Sequence, residues 1–273
     1  MKQILFLFIL LLTGLTNALA QNGKERVIQD ISYINPNDSS SYRKERCKLD
    51  LYLPKSQKTF KTLVWFHGGG LTGGEKEIPN ELKGKEFAIV APNYRLYPRC
   101  KNPEYTEDAA AAVAWAVKHI AEYGGSPSEI YVGGHSAGGY LTLMLCLDKK
   151  YLKAYGIDAD SIKGYFPVSG QCATHYTIRS ERKISYTSPL VDQFSPLNNV
   201  RKLDTQLMLI TGDRNLEQMA RFEENLYLKA VLQGIGNQEI PIYEMAGFDH
   251  SSVLIPAFAF ALITRNIKHS NKN

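Results

Sequence analysis

The sequence has few of the residues that would mark a metalloprotein or a disulfide-stabilised protein. Only four cysteines occur in 273 residues, and no two of them form a CxxC pair or another metal-ligand spacing. We therefore predict no metal site and assign no disulfide, and we expect most of the cysteines to be buried free thiols. They are Cys47, Cys100, Cys146 and Cys172.

A large excess of one sign of charge is also missing. The chain has 32 basic and 27 acidic residues, which give a formal net charge of +5, and the two signs alternate through most of its length. Such a distribution leaves no basic face, so no nucleic-acid partner is expected. Hydrophobic residues make up 44% of the chain and charged residues 22%, which is ordinary for a globular protein.

An apolar run stands near the N-terminus, and no later segment is apolar enough to span a membrane. Residues 4–12 are all apolar, and they follow Lys2 and precede the small-residue pattern Ala18-Leu19-Ala20. A membrane-spanning helix needs about 20 predominantly apolar residues, so the alternative of a membrane anchor fits this short run less well. Residues 1–20 therefore predict a signal peptide that is cleaved before Gln21. We expect a periplasmic or extracellular protein with no membrane contact after cleavage.

Residues 21–273 are long enough to form one domain with a full core. Short apolar runs alternate with longer segments of helical composition, which is typical of an α/β fold with a mostly parallel central sheet flanked by helices. The expected strands are residues 27–34, 49–53, 62–66, 87–91, 130–132, 164–168, 206–210 and 240–243. The expected helices are residues 105–123, 140–146, 214–233 and 252–267.

A polar, proline-interrupted stretch at residues 172–204 has no clear strand of its own. A segment of this length inside a compact domain is usually functional or disordered, so we predict a lid-like insertion that sets specificity. Its aromatic and basic side chains suit a sugar-borne or acidic compound. Among its residues, His175 is expected to contact the substrate.

The strongest sign of chemistry is the pattern Gly134-x-Ser136-x-Gly138, which lies between a predicted strand and a predicted helix. A serine at such a place lies on a strained turn that exposes its hydroxyl. Glycines are needed on both sides because side chains would clash in so tight a bend. Ser136 is therefore predicted to be a nucleophile.

A second motif, His-Gly-Gly-Gly at residues 67–70, follows another apolar strand. Backbone N–H groups approach a developing oxyanion only where no Cβ intrudes, and a glycine run after a strand permits this approach. The motif therefore predicts an oxyanion-binding loop.

Together, the two motifs resemble those of the hormone-sensitive-lipase-like α/β-hydrolases and of the related feruloyl and acetylxylan esterases, the BD-FAE-like carboxylesterases. The resemblance runs from Leu-Asp-Leu-Tyr-Leu-Pro at residues 49–54, through Pro-Asn-Tyr-Arg-Leu at residues 92–96, to Gly-Phe-Asp-His at residues 247–250. It implies an α/β-hydrolase fold in which the N–H groups of Gly69, Gly70 and Ala137 bind the oxyanion.

The general base of an α/β-hydrolase follows the acid and lies near the C-terminus. The sequence has six histidines. Of these, His250 comes after the last predicted strand and a short glycine-containing loop, directly before the last predicted helix, so we predict that His250 is the base. His67 and His135 belong to the two motifs, His119 lies on a predicted helix, and His269 lies in the charged tail.

The acid of the triad should follow the strand predicted at residues 206–210, where three candidates stand close together. Many proteins with these motifs carry the acid at the position where this chain has Asn215. Asp213 is our preferred replacement, although an aspartate here is also a common helix N-cap. Glu217 is the second candidate. Asn215 itself is the third, because an amide can orient the imidazole without a charge.

These residues predict a serine hydrolase that forms an acyl-enzyme and needs neither cofactor nor metal. By resemblance, we expect its substrate to be a small-molecule or carbohydrate ester with a short acyl group, such as acetyl or feruloyl. The alternatives are an amidase, such as a formamidase, or a peptidase on the same fold, and a non-catalytic binding protein. The sequence makes no prediction of the oligomeric state.

Overall fold

The structure, a computed structural model, describes residues 25–56, 58–238 and 240–254. The predicted signal peptide at residues 1–20 lies outside the described residues, as does most of the helix predicted at residues 252–267. Within the described ranges, no helix combines the length and the apolar character that crossing a membrane requires.

Nine strands form one sheet in the described part of the chain. The strands are β1 (Arg26–Ser32), β2 (Lys48–Leu53), β3 (Phe60–Phe66), β4 (Phe87–Pro92), β5 (Gly125–His135), β6 (Gly164–Val168), β7 (Gln206–Leu207), β8 (Leu209–Gly212) and β9 (Ile242–Met245). Their order is β1-β2-β4-β3-β5-β6-β8-β9, with β7 also paired to β6. The pairs β1–β2 and β2–β4 are antiparallel, and all other pairs are parallel.

Six α-helices connect or cover the strands within the same ranges. They are α1 (Ser41–Arg46), α2 (Glu104–His119), α3 (Ala137–Leu147), α4 (Lys150–Lys153), α5 (Tyr176–Glu181) and α6 (Arg221–Gly234). The mixed but mostly parallel sheet with flanking helices confirms the predicted fold class.

Two apolar clusters lie on opposite faces of the sheet because side chains alternate along each strand. In β3, Val64 and Phe66 belong to the larger cluster, which also contains the alanine-rich face of α2 and all the large apolar side chains of α3. Leu63 and Trp65 belong to the smaller cluster on the other face. The central strands are thus buried on both faces, which explains why their sequences are continuous apolar runs.

Most predicted elements are found close to their expected positions, with the following differences. The helix predicted over residues 214–233 begins only at Arg221, because Met219 and Ala220 have φ angles of +49° and +57° and cannot continue a right-handed helix. The pattern does not predict three short helices, α1, α4 and α5, of which α5 lies in the insertion at residues 172–204. All four cysteines are buried and free, as expected.

Candidate active site

Ser136 stands on a sharp turn between β5 and α3. Its φ of +54° and ψ of −111° lie outside the ordinary regions for a residue with a side chain, and its N–H donates to the carbonyl oxygen of Val168 at 2.8 Å. A Cβ on residue 134 would come within 2.6 Å of the Gly138 backbone. A Cβ on residue 138 would overlap the Phe66 carbonyl group. The two glycines therefore permit the turn that projects Ser136.

His250 lies between Ser136 and a carboxylate. Its Nε2 is 2.8 Å from the Ser136 Oγ, and its Nδ1 is 2.8 Å from an oxygen of Glu217. A neutral imidazole protonated on Nδ1 satisfies both contacts, because Nδ1–H donates to the carboxylate while Nε2 accepts from the serine hydroxyl. This row of hydrogen bonds has the geometry of a catalytic triad.

Glu217 is held as a buried carboxylate, with 1% of its side chain exposed. Its second oxygen accepts hydrogen bonds from the Ser169 hydroxyl and, at 2.8 Å, from the Gly212 N–H. Burial raises the pKa of Glu217, but the hydrogen bonds from His250, Ser169 and Gly212 outweigh this effect and lower the pKa to about 2. Glu217 is therefore ionised at neutral pH and can stabilise a positive charge when His250 takes up a proton.

The preference for Asp213 as the partner of His250 is corrected by this geometry. The Asp213 carboxylate accepts instead from the N–H groups of Gly247 and Asn215, both at 2.9 Å. The Asp213 N–H donates to the carbonyl oxygen of Phe248 at 2.7 Å. Through these hydrogen bonds, Asp213 connects the end of β8 to the loop that carries His250. The Asn215 amide donates to the Asp213 carboxylate and not to the imidazole.

Residues 67–70 form a tight loop beside Ser136. Gly69 and Gly70 have φ angles of +109° and +64°, and a Cβ on residue 68 would lie 3.5 Å from the Ser136 Cβ. The carbonyl oxygen of Gly69 accepts from the N–H groups of Thr72 and Gly73 at 3.1 and 2.9 Å. Because C=O and N–H point in opposite directions across a trans peptide, the Gly70 N–H points away from this turn.

The N–H groups of Gly69, Gly70 and Ala137 have no backbone acceptor within the ranges that the structure describes. Ala137 is the first residue of α3, where the N–H groups lack intrahelical partners. These donors are free to bind an anion, and their assignment as oxyanion donors stays a prediction.

His135, the residue before the nucleophile, supports the loop of His250. Its Nε2–H donates to the His250 carbonyl oxygen at 2.7 Å, and the two rings lie 4.9 Å apart. Burial, with a smaller effect from the charge of His250, lowers the pKa of His135 to about 4. His135 is therefore a neutral donor that holds the backbone of His250 in place. Ser169, whose hydroxyl donates a hydrogen bond to Glu217, is a residue of this site that no sequence pattern indicates.

The prediction that His175 contacts the substrate is wrong, because its side chain is fully buried. Its Nδ1 accepts from the Thr177 N–H at 3.2 Å and so caps α5. Its ring packs 5.2 Å from the ring of Tyr140 and 4.3 Å from that of Tyr176. A histidine that follows a strand in a polar insertion gives no sign of whether it will face the substrate or the core.

A metal site is not found among the residues that the structure describes, since no three potential ligand side chains of His, Cys, Asp or Glu converge there.

A model of the BD-FAE family matches residues 49–219, which is more than half of the chain. Among curated proteins, a probable isoprenylcysteine alpha-carbonyl methylesterase of Arabidopsis thaliana is 31% identical over 46% of this chain and 28% of its own length. The carboxylic ester hydrolase LipN of Mycobacterium tuberculosis is 36% identical over 35% of this chain and 27% of its own length. The chain thus spans less than a third of either relative.

Two solved structures resemble the fold over nearly the whole chain. A truncated carbohydrate esterase from gut microbiota has a TM-score of 0.75 at 19% identity, covering 91% of this chain and 97% of the other. The apo form of esterase 2 from Thermogutta terrifontis has a TM-score of 0.68 at 18% identity, covering 92% and 95%. These similarities establish the α/β-hydrolase fold.

Proposed function

The chain belongs to the BD-FAE family, and from this premise we propose that it is a serine hydrolase of carboxylic esters. The observation that carries the proposal is the row of hydrogen bonds from Glu217 through His250 to Ser136, with both distances at the imidazole equal to 2.8 Å. The esterase names of the curated relatives and of the structural neighbours support the same reaction.

In the proposed reaction, the Ser136 hydroxyl attacks the ester carbonyl while His250 takes its proton. The N–H groups of Gly69, Gly70 and Ala137 bind the resulting oxyanion, and each such donor typically contributes about 10²–10³ in kcat. His250 then protonates the departing alcohol, which leaves an acyl group on Ser136. Water activated by His250 releases the acid by the same route. Glu217 orients the imidazole and stabilises its charged form throughout.

We further propose short acyl esters, acetyl or feruloyl, of carbohydrates as the substrates. Only 8% of Ser136 is exposed, which supports a site that encloses the reacting ester group. The structural neighbour named as a carbohydrate esterase supports the carbohydrate part of this proposal.

Hydrolysis of p-nitrophenyl acetate by the purified protein tests the reaction. Ser136→Ala is expected to abolish turnover, and Ser180→Ala is the matched control because Ser180 is an exposed serine on α5. If Ser136→Ala keeps the activity of the parent, the nucleophile is wrong. If the parent hydrolyses p-nitroacetanilide faster than the acetate ester, the protein is an amidase.

The acyl group and the alcohol are tested separately. Acetate release from acetylated xylan oligosaccharides and ferulate release from feruloylated arabinoxylan are compared with hydrolysis of p-nitrophenyl octanoate. Preference for the octanoate would contradict the proposed acetyl and feruloyl groups. Export is tested by N-terminal sequencing of the protein recovered outside the cytoplasm, which should begin at Gln21.

A further inference from the structure

The insertion at residues 172–204 packs directly on the proposed oxyanion loop through the first turn of α5. The Thr177 hydroxyl donates to the carbonyl oxygen of Gly70. The hydroxyl of the preceding residue, Tyr176, occupies the space that a Cβ on residue 70 would fill, with the Tyr176 Cζ 3.1 Å from that position. The phenol oxygen therefore lies against Gly70, whose N–H is one of the proposed oxyanion donors.

The Tyr176 hydroxyl is not used by the fold. In the part of the chain that the structure describes, no residue forms a hydrogen bond with it, and its oxygen is not one of the fully buried polar atoms that lack a partner. The residue as a whole is half-buried. The hydroxyl is thus both unpaired and accessible, which is unusual for a tyrosine whose ring is so closely packed.

The ring that carries this hydroxyl is held in place. It packs 4.3 Å from the ring of His175, which packs in turn against Tyr140. The Tyr176 N–H donates to the side-chain oxygen of Gln171 at 3.1 Å. A donor fixed in this way needs little reorganisation when a charge develops beside it, which is the property that makes oxyanion donors effective.

We infer that Tyr176 is a further catalytic residue, whose hydroxyl donates a hydrogen bond to the acyl carbonyl oxygen as that oxygen becomes negatively charged. This inference rests on the proposed function. The phenol keeps its proton throughout, so it adds a neutral donor beside the Gly70 N–H and leaves the proton transfers of His250 unchanged. It also gives the insertion a part in catalysis in addition to specificity.

The test is Tyr176→Phe, which removes the hydroxyl and retains the ring contacts with His175. With p-nitrophenyl acetate, we expect kcat to fall by about 10²-fold, as for other lost oxyanion donors, and KM to stay within about twofold. Phenylboronic acid, which forms a tetrahedral adduct with a nucleophilic serine, should bind more weakly by a factor similar to the loss in kcat. Tyr186→Phe is the matched control, because Tyr186 lies in the same insertion and is 58% exposed.

Three outcomes would overturn the inference. The first is a kcat of Tyr176→Phe equal to that of the parent. The second is a change confined to KM, which would mean that the hydroxyl binds the ground state and the transition state equally. The third is unchanged affinity for phenylboronic acid, measured below the unfolding temperature of both proteins. Ser136→Ala in the same series separates these outcomes from a failure of the proposed function, since an active Ser136→Ala would remove the premise itself.

Discussion

Two carboxylates follow β8, and their different surroundings give them different tasks. Glu217 points inward, where its carboxylate forms hydrogen bonds with His250, Ser169 and Gly212. Asp213 is only four residues away, but its oxygens are occupied by backbone N–H groups of the neighbouring loops. Glu217 is therefore the residue whose charge can stabilise a protonated imidazole, and Asp213 stabilises the loop.

Glu217→Gln keeps the length of the side chain and removes its charge. We expect kcat for p-nitrophenyl acetate to fall by about 10⁴-fold, the size of the loss when the acid of a serine-protease triad becomes an amide. Asp213→Asn is the matched control, and it should lower kcat by less than about tenfold because a side-chain oxygen remains to accept from Gly247. Equal losses in the two variants would contradict the assignment of Glu217.

The sequence identifies the serine and the histidine more readily than the acid, for a physical reason. Ser136 lies in a turn that requires neighbouring glycines, so its surroundings are visible in the sequence. Asp213, Asn215 and Glu217 lie in one short segment, and the choice among them depends on which way the backbone turns after β8. Positive φ angles at Met219 and Ala220 follow this segment, and neither residue type predicts them.

At the scale of secondary-structure elements, the site depends on how closely α3 approaches the end of β3. A Cβ on residue 138 would lie 2.7 Å from the Phe66 carbonyl carbon and 2.8 Å from the His67 carbonyl oxygen. Both are backbone atoms of the segment that leads into the oxyanion loop. The absence of a side chain at Gly138 therefore sets the spacing between that loop and Ser136.

Gly138→Ala is expected to lower the free energy of unfolding by about 1–3 kcal/mol, the usual effect of overpacking. It should also reduce kcat, because α3 and the loop at residues 67–70 must move apart. Gly234→Ala is the matched control, since nothing lies within 4 Å of a Cβ at this helical position. Urea unfolding and esterase assays on both variants measure the effects. Unfolding of Gly138→Ala at the urea concentration of the parent would contradict the predicted clash.

Elements that are long or continuously apolar are predicted well from the sequence, and short ones are not. The pattern places α2 and α3 within a few residues of their observed bounds because each has a long apolar face. By contrast, α5 has six residues, which is too few to show a helical period. Its position is fixed by the contacts of Thr177 and Tyr176 with Gly70, which join residues far apart in sequence.

At the scale of the whole molecule, the alternation of elements predicts the fold class but not the strand order. The reversal that puts β4 between β2 and β3 depends on long-range pairing.

Burial of histidines is also a property of the assembled fold. Burial lowers the pKa of His67 and of His135 to about 4, and burial with the nearby Arg221 and Arg179 lowers the pKa of His175 well below its usual value.

These buried neutral histidines predict how stability changes with pH. Between about pH 6.5, where a histidine titrates in the unfolded chain, and pH 4, the unfolded state binds protons that the folded state excludes. The contribution of these histidines to the free energy of unfolding should therefore be fully present above pH 6.5. As the pH decreases to 4, the free energy of unfolding should fall by on the order of 3 kcal/mol for each of His67 and His135. The lowered pKa of Glu217 acts in the same direction, but only below about pH 4.5.

His135→Gln isolates one of these groups, because the amide can still donate to the His250 carbonyl oxygen but cannot take up a proton. Between pH 6.5 and 4.5 we expect the free energy of unfolding of this variant to fall less steeply than that of the parent, by about 1.4 kcal/mol per pH unit, which corresponds to one proton. Urea unfolding at half-unit pH intervals measures the slope, and His119→Gln, on the exposed end of α2, controls for the loss of an imidazole. Parallel curves for His135→Gln and the parent would show that His135 takes up a proton in the folded protein as readily as in the unfolded chain. The assignment of His135 as a neutral donor to His250 would then be wrong.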